Sequence, residues 1–200
     1  MSAQKRLRIY FTGVGGQGSL TATALLARTA LYAGVDVVAG EVHGMAQRGG
    51  VVESVLLLGG WRSPKLEYGE ADIILGFEPL ETLRGLPYLR KGGVVFSSSD
   101  AMPPVSVALG VEKYPSMDEI KARVGEVASQ SHFLPCRELG MKAGAVQAGN
   151  TVLLAALCAS NLLPFGVDVF EKALQLFLPE KIKAANLKAL EFGQDYIANA

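Results

Sequence analysis

Two cysteines in 200 residues leave thiol chemistry little room. Cys136 and Cys158 stand far apart, with no C-x-x-C pairing. An iron–sulfur cluster ordinarily takes four thiolates, so the chain by itself should hold none. The pair reads instead as buried thiols in a reducing compartment. Histidine is equally scarce, and His43 and His132 are too separated to suggest a zinc site. Charge of one sign is missing too. Nineteen Lys and Arg balance nineteen Asp and Glu, which gives no ground for a nucleic-acid or anionic-membrane surface. The longest apolar run, Val152 to Ala159, falls far short of the ~20 residues needed to span a bilayer. The basic opening "MSAQKRLRIYF" has too short an apolar stretch for a signal peptide. These absences point to a cytoplasmic protein that binds neither membrane nor nucleic acid.

Half of the residues are apolar and 19% are charged, a balance that excludes disorder and allows one domain with an ample core. Repeats, low-complexity segments and internal boundaries are absent, so the domain is expected to span 1–200. An apolar surplus with no net charge suits a subunit that covers part of its surface with a partner.

The pattern alternates strand and helix. "LRIYFTG" (7–13) is a β-branched and aromatic run ending at glycine, as a buried parallel strand would. From Ser19, the residues Leu20, Ala24, Ala27 and Leu31 keep helical spacing, and Gly34 closes the helix. Further strands are expected at 35–41, 51–59, 71–78 and 94–99, with 104–110 and "SHFLP" as additional candidates. Pro79 suits a helix start ahead of "LETLRGLPYLRKGG". Ser116 with Glu119 forms a capping-box pattern. "AVQAGNTVLLAALCAS" is apolar nearly all round and should be buried. Val167, Phe170, Leu174 and Phe177 make one further stripe, and Ile182, Ala185, Ala189, Phe192 and Tyr196 a last one. The expected fold class is α/β, a Rossmann-like three-layer sandwich around a mostly parallel sheet with a helical C-terminal part.

Between the first strand and helix lies "GVGGQGS" (13–19), whose Gly13, Gly15 and Gly18 spell G-x-G-x-x-G. Such a loop turns sharply and lets an anion approach the helix N-terminus, while Glu41 lies where a ribose-binding acid would be expected. The other reading is that the glycines serve close packing. Gly15, Gly16 and Gln17 make a more specific string than the dinucleotide fingerprint. No second domain is available for a substrate, and no His or Cys is evidently placed for hydride or acyl chemistry.

A second string, "EVHGMAQRGG" (41–50), follows the second strand. In a doubly wound sheet the loops after strands one and two meet at the carboxyl edge, so His43, Gln47 and Arg48 are expected to face the glycine loop. The Arg48 guanidinium suits a phosphate or a partner carboxylate, and Gly49 and Gly50 allow close approach.

Together the two strings resemble the gamma subunit, or gamma domain, of 2-oxoacid:ferredoxin oxidoreductases, and within them the indolepyruvate branch. The resemblance extends through "YGEADIILGFEPLETLRGLPYLRKGG", on to "GN" at 149–150 and to "NLKALEFG" at 186–193. It implies oxidative decarboxylation of a 2-oxoacid, arylpyruvates in the indolepyruvate branch, to an acyl-CoA with reduction of ferredoxin. It places thiamine diphosphate and iron–sulfur clusters on a larger alpha subunit and makes CoA a co-substrate. This chain is then the subunit without cofactor, inactive alone, with homodimer formation open to the isolated chain. Its ligand-facing candidates are Gly13, Gly15, Gly16, Gln17, Gly18, His43, Gln47, Arg48 and Gly49; no catalytic or metal-ligating residue is expected. In one departure, the strand after R-G-G reads Val55-Leu56-Leu57-Leu58 where the family often carries a basic residue.

Each candidate also has a plainer role. Gln17 suits a loop-bracing hydrogen bond as well as a ligand contact. His43 and His132 suit packed histidines, Glu78 and Glu81 a helix start, and Asn150 a loop brace with a buried partner. Trp61 reads as an interface anchor or a core cover. The functional alternatives are a gamma subunit for pyruvate, 2-oxoglutarate or a branched-chain 2-oxoacid, a free-standing nucleotide-binding regulatory module, and an NAD-dependent dehydrogenase.

Overall fold

The computed structural model describes residues 5–43, 50–103, 107, 109–110 and 113–200, without the side chains of residues 42 and 43. In chain order, β1 (Leu7–Val14), α1 (Ser19–Tyr32), β2 (Val37–His43), β3 (Val51–Leu58) and β4 (Ala71–Gly76) come first. Then follow α2 (Pro79–Gly85), β5 (Leu89–Ser98), α3 (Met117–Val127) and β6 (Gln130–Leu134). The chain ends in α4 (Cys136–Ala143), α5 (Gly149–Ala159), α6 (Val167–Phe177) and α7 (Glu180–Ala198).

The six strands form one sheet in the order β2-β3-β1-β4-β5-β6. β1, β4, β5 and β6 run parallel. β3 is antiparallel to both β1 and β2. The expected strand at 51–59 thus proves antiparallel, and a hairpin-like return places it between β1 and β2. β2 nevertheless runs in the same direction as β1, so its carboxyl end lies at the same edge.

Strand side chains alternate between two helical layers. Ile9, Phe11, Leu56, Leu58, Ile73, Leu75 and Phe96 join the cluster formed with α1 and α4–α7. Tyr10, Ile74, Leu89 and Val95 join the smaller cluster formed with Ile120 and Val124 of α3. The apolar helix α5 is buried from Thr151 to Cys158, where α7 crosses it. A Cβ at Gly193 would lie 2.3 Å from the Val152 carbonyl oxygen, so only glycine permits that approach. Asn186 on α7 receives a bond from the Thr151 hydroxyl at 2.5 Å.

Two helix readings change. α1 buries Ala22, Leu25, Leu26, Thr29 and Ala30 rather than the expected stripe; Leu31 is 61% exposed. Its residues are apolar or small almost all round, so periodicity does not select a face. Thr23 and Thr29 count as apolar here because their hydroxyls bond to the carbonyls of Ser19 and Leu25. The segment after Pro79 stays helical only to Gly85 and then passes through a short 3-10 turn at 86–88 into β5. Pro87 accounts for the break. The strand candidate at 104–110 falls largely outside the described residues; Gly110 closes a turn onto the Val107 carbonyl.

Candidate functional site

The carboxyl ends of the parallel strands meet the glycine loop before α1 and the first turns of α4 and α5 around a cleft of about 230 Å³. Open α/β sheets bind ligands at this edge. Gly16 and Gln17 line it from the glycine loop, Ser98 and Asp100 from the end of β5, and Arg137 and Asn150 from the two helix starts.

The glycine loop is held from several sides. Gly16 and Gly18 take positive φ of 99° and 78°, which favours glycine. Gly13 makes room for Gln17 and Phe77; a Cβ there would sit 3.0 Å from Gln17 Oε1. Both polar atoms of the Gln17 side-chain amide are engaged: Oε1 accepts from the Val14 N–H (2.7 Å), and Nε2 donates to the Phe77 carbonyl (3.2 Å). Asn150 Nδ2 donates to the Gln17 carbonyl at 2.8 Å. Thus Gln17 ties the end of β1 to the end of β4, and Asn150 ties α5 to both. The bracing role read for both residues is the one their hydrogen bonds display.

Gly15 donates its N–H to the Gly50 carbonyl at 2.8 Å. The last residue of the "EVHGMAQRGG" string therefore touches the glycine loop, although β3 intervenes in the sheet. The backbone of His43 ends β2 opposite Val52. Gln47, Arg48 and Gly49 lie outside the described residues.

Two carboxylates organise the rest of the edge. Asp100 Oδ2 accepts from the Ser98 hydroxyl (2.8 Å) and from the Arg137 N–H (2.7 Å), capping α4. Glu78, 1% exposed, caps α2 through the Glu81 N–H at 2.9 Å. It also accepts from the Met102 N–H (3.1 Å) and from the Tyr114 hydroxyl. Burial first, then this contact, push the Tyr114 phenol well above its ordinary range. Helix-start duty was legible for Glu78; its second task, accepting from Met102 beside the cleft and from Tyr114, was not. Ser98, Asp100 and Arg137 were also missed. The available signals were the strand end "SSSD" and the helix start "PCRE".

The remaining candidates sit elsewhere. His132 stacks on Phe96 with centroids 4.9 Å apart and meets the edge of Tyr196, and burial lowers its pKa. Trp61 packs under the guanidinium groups of Arg6 and Arg8. Cys136 is buried beside the cleft, its pKa pushed up to about 12 by desolvation, so the thiolate nucleophile is suppressed. Cys158 is buried within α5 and also pushed up.

Residues 8–196 match the pyruvate ferredoxin/flavodoxin oxidoreductase family. The chain belongs to that family. A relative from Archaeoglobus fulgidus, indolepyruvate oxidoreductase subunit IorB, is 40% identical and is covered, like this chain, over 94% of its length. The protein of that name from Pyrococcus horikoshii is 42% identical, covering 94% of this chain and 95% of the relative. The fold recurs in the gamma subunit of a keto/oxoacid ferredoxin oxidoreductase from Geobacter sulfurreducens. That likeness has a TM-score of 0.70 and 23% identity, covering 97% of this chain and 99% of the other. It also recurs within a 2-oxoglutarate:ferredoxin oxidoreductase from Magnetococcus marinus, with a TM-score of 0.72 and 18% identity. There 98% of this chain matches 32% of the other.

As a pyruvate ferredoxin/flavodoxin oxidoreductase family member, the chain has a donor set that does not fit an iron–sulfur cluster. Its two cysteines are both buried and are held by different helices. Among the described residues, no group of three or more His, Cys, Asp or Glu could hold a metal ion, and no helix is long and apolar enough to cross a membrane.

Proposed function

We propose that the chain is the cofactor-free subunit of an indolepyruvate oxidoreductase in the cytoplasm. The assembled enzyme converts an arylpyruvate, CoA and two oxidised ferredoxins into aryl-acetyl-CoA, CO2, two reduced ferredoxins and a proton. The observation that carries this reading is the 40% identity to an indolepyruvate oxidoreductase subunit over 94% of both chains. Decarboxylating a 2-oxoacid needs an electron sink that side chains do not supply; thiamine diphosphate on a larger partner provides it, beside that partner's iron–sulfur centres.

The contribution of this chain is positional. Gln17 and Asn150 hold the Gly13–Gly18 loop rigid at the carboxyl edge, beside the starts of α4 and α5. The guanidinium groups of Arg137, which lines the cleft, and of Arg48, in the neighbouring string, suit the phosphates of CoA. Met102 and Val146, each 46% exposed, border the same cleft and give the alpha subunit an apolar rim to cover. His43, Gln47 and Gly49 belong to the string that meets this partner.

The test of this assignment is Arg48→Ala in the assembled complex. It should raise the KM for CoA by about tenfold or more, as expected for a lost hydrogen bond to a charged group. Arg48→Lys should recover only part, because the forked donor is gone. Unchanged kinetics in both variants would remove Arg48 from the CoA site.

A further inference from the structure

On one face of the sheet, α2 packs against β1, β4 and β5, and α3 against β5 and β6. No described helix covers β2 and β3 there. Instead, the irregular segment between β3 and β4 folds over them. A Cβ at Gly40 would lie 2.7 Å from Pro64 Cβ, so glycine allows the closest approach. An irregular chain does not fill the space beneath it as a helix would, and a pocket of about 360 Å³ remains. That size falls within the ordinary range of small-molecule sites.

The pocket is distinct from the cleft at the carboxyl edge, and no residue lines both. Its floor is Tyr10 and Val55, opposite one another in the sheet, with Gly40 paired to Val55 from the far side. Tyr88, stacked on Tyr10 at 4.4 Å, closes one wall, and Pro64 and Leu66 close the roof. Glu53 lies two residues from Val55 and so shares its face. Its carboxylate acts electrostatically on the buried Tyr10 hydroxyl, which has no hydrogen-bond partner among the described residues. Burial first, and then Glu53, push the Tyr10 ionisation far above the ordinary range, so the phenol stays neutral. Lys65 at the rim is engaged by Glu67 at 2.6 Å. Glu41 borders the pocket on β2, paired in register with Ser54 and so alternating away from this face.

An apolar pocket with Tyr10 in its floor, Tyr88 as a wall and a carboxylate beside them matches an aromatic ring carrying an ammonium group. We propose that this pocket is a second ligand site, for a small arylalkyl ammonium compound, with the ring against Tyr88 and Leu66 and the ammonium on Glu53. The site does not depend on the function assigned to the carboxyl-edge cleft.

The experiment is calorimetric titration of the full chain with phenethylamine, and with phenylacetate, which has the same ring and the opposite charge. Phenethylamine should bind saturably at one site, and phenylacetate should not. Glu53→Gln should weaken phenethylamine about tenfold or more, and Val55→Trp, which fills the floor, should abolish binding. Both variants are to be checked for an unchanged urea midpoint. The assembled complex should bind phenethylamine as the free chain does. No saturable heat, equal binding of phenylacetate, or undiminished binding by folded Glu53→Gln would overturn the proposal. Binding by the chain but not the complex would also overturn it, by making the pocket part of a subunit interface.

Discussion

On one face of the sheet, Ile9, Phe11, Leu56, Leu75 and Phe96 are sealed under α1 and α4–α7, in one continuous apolar cluster that includes nearly all of α5. On the other face, two helices and the β3–β4 segment cover a smaller cluster. The charged and hydroxyl groups there include Glu78, Glu81, Tyr10, Tyr114 and Glu53. The difference teaches a division of labour. The first face supplies the burial that holds the chain together, and the second holds loops in place through hydrogen bonds to charge. The glycine loop is tied to the first system, by Asn150 of α5 and by the carbonyl of Phe77, a member of the same apolar cluster just after β4.

If that division is right, substitutions should differ in kind as well as in size. Phe11→Ala, in the first cluster, should cost about 3–5 kcal/mol of unfolding free energy, with one cooperative transition and the loss spread over the whole chain. Urea denaturation with hydrogen exchange would show this. A loss confined to β1 would break the comparison.

Glu78→Ala on the second face should cost less, about 1.5–3 kcal/mol, and should act locally. The Met102 and Glu81 amides should exchange faster while those of α5 keep their protection. Global loosening would mean that Glu78 supports the core rather than the rim.

In the glycine loop, Gln17→Ala should cost about 1–2 kcal/mol, since it orphans the Val14 N–H and the Phe77 carbonyl. Asn150→Ala should cost less, having one bond to lose. The double variant should lose less than the sum of the singles, because both side chains hold the same loop. Simple additivity would show that the two braces act independently.

The smallest effect concerns pH. Burial lowers the His132 pKa in the folded chain, so below the ordinary histidine value the unfolded chain binds more protons than the folded one. Stability therefore rises with pH through the window between the depressed folded value and about 6.5, and falls as pH drops through it. Comparing urea midpoints at pH 7.5 and 5.5, His132→Phe should flatten this part of the profile. An unaltered profile would place the pH response elsewhere.

Much of this was legible in the sequence for a physical reason. Strand runs such as "ADIILG", the Ser116–Glu119 capping box and the left-handed glycines of the first loop carry local signatures, and the structure repeats them. The expected loop-bracing role of Asn150 followed from placing an amide in an apolar helix. What stayed hidden was set by partners distant in the chain. Nothing local in "VVESVLLL" specifies that it runs antiparallel between β1 and β2. The buried face of α1 depends on which side the sheet lies. Asp100 and Arg137, 37 residues apart, meet only because β5 and β6 are neighbours.

The central claim is that this chain positions and does not itself catalyse. The direct test is indolepyruvate- and CoA-dependent dye reduction by the chain alone, by the proposed thiamine-bearing partner alone, and by the two together. The account predicts no turnover by the lone chain, little by the lone partner, and full turnover on assembly. Turnover by this chain alone, or full activity of the partner without it, would contradict it.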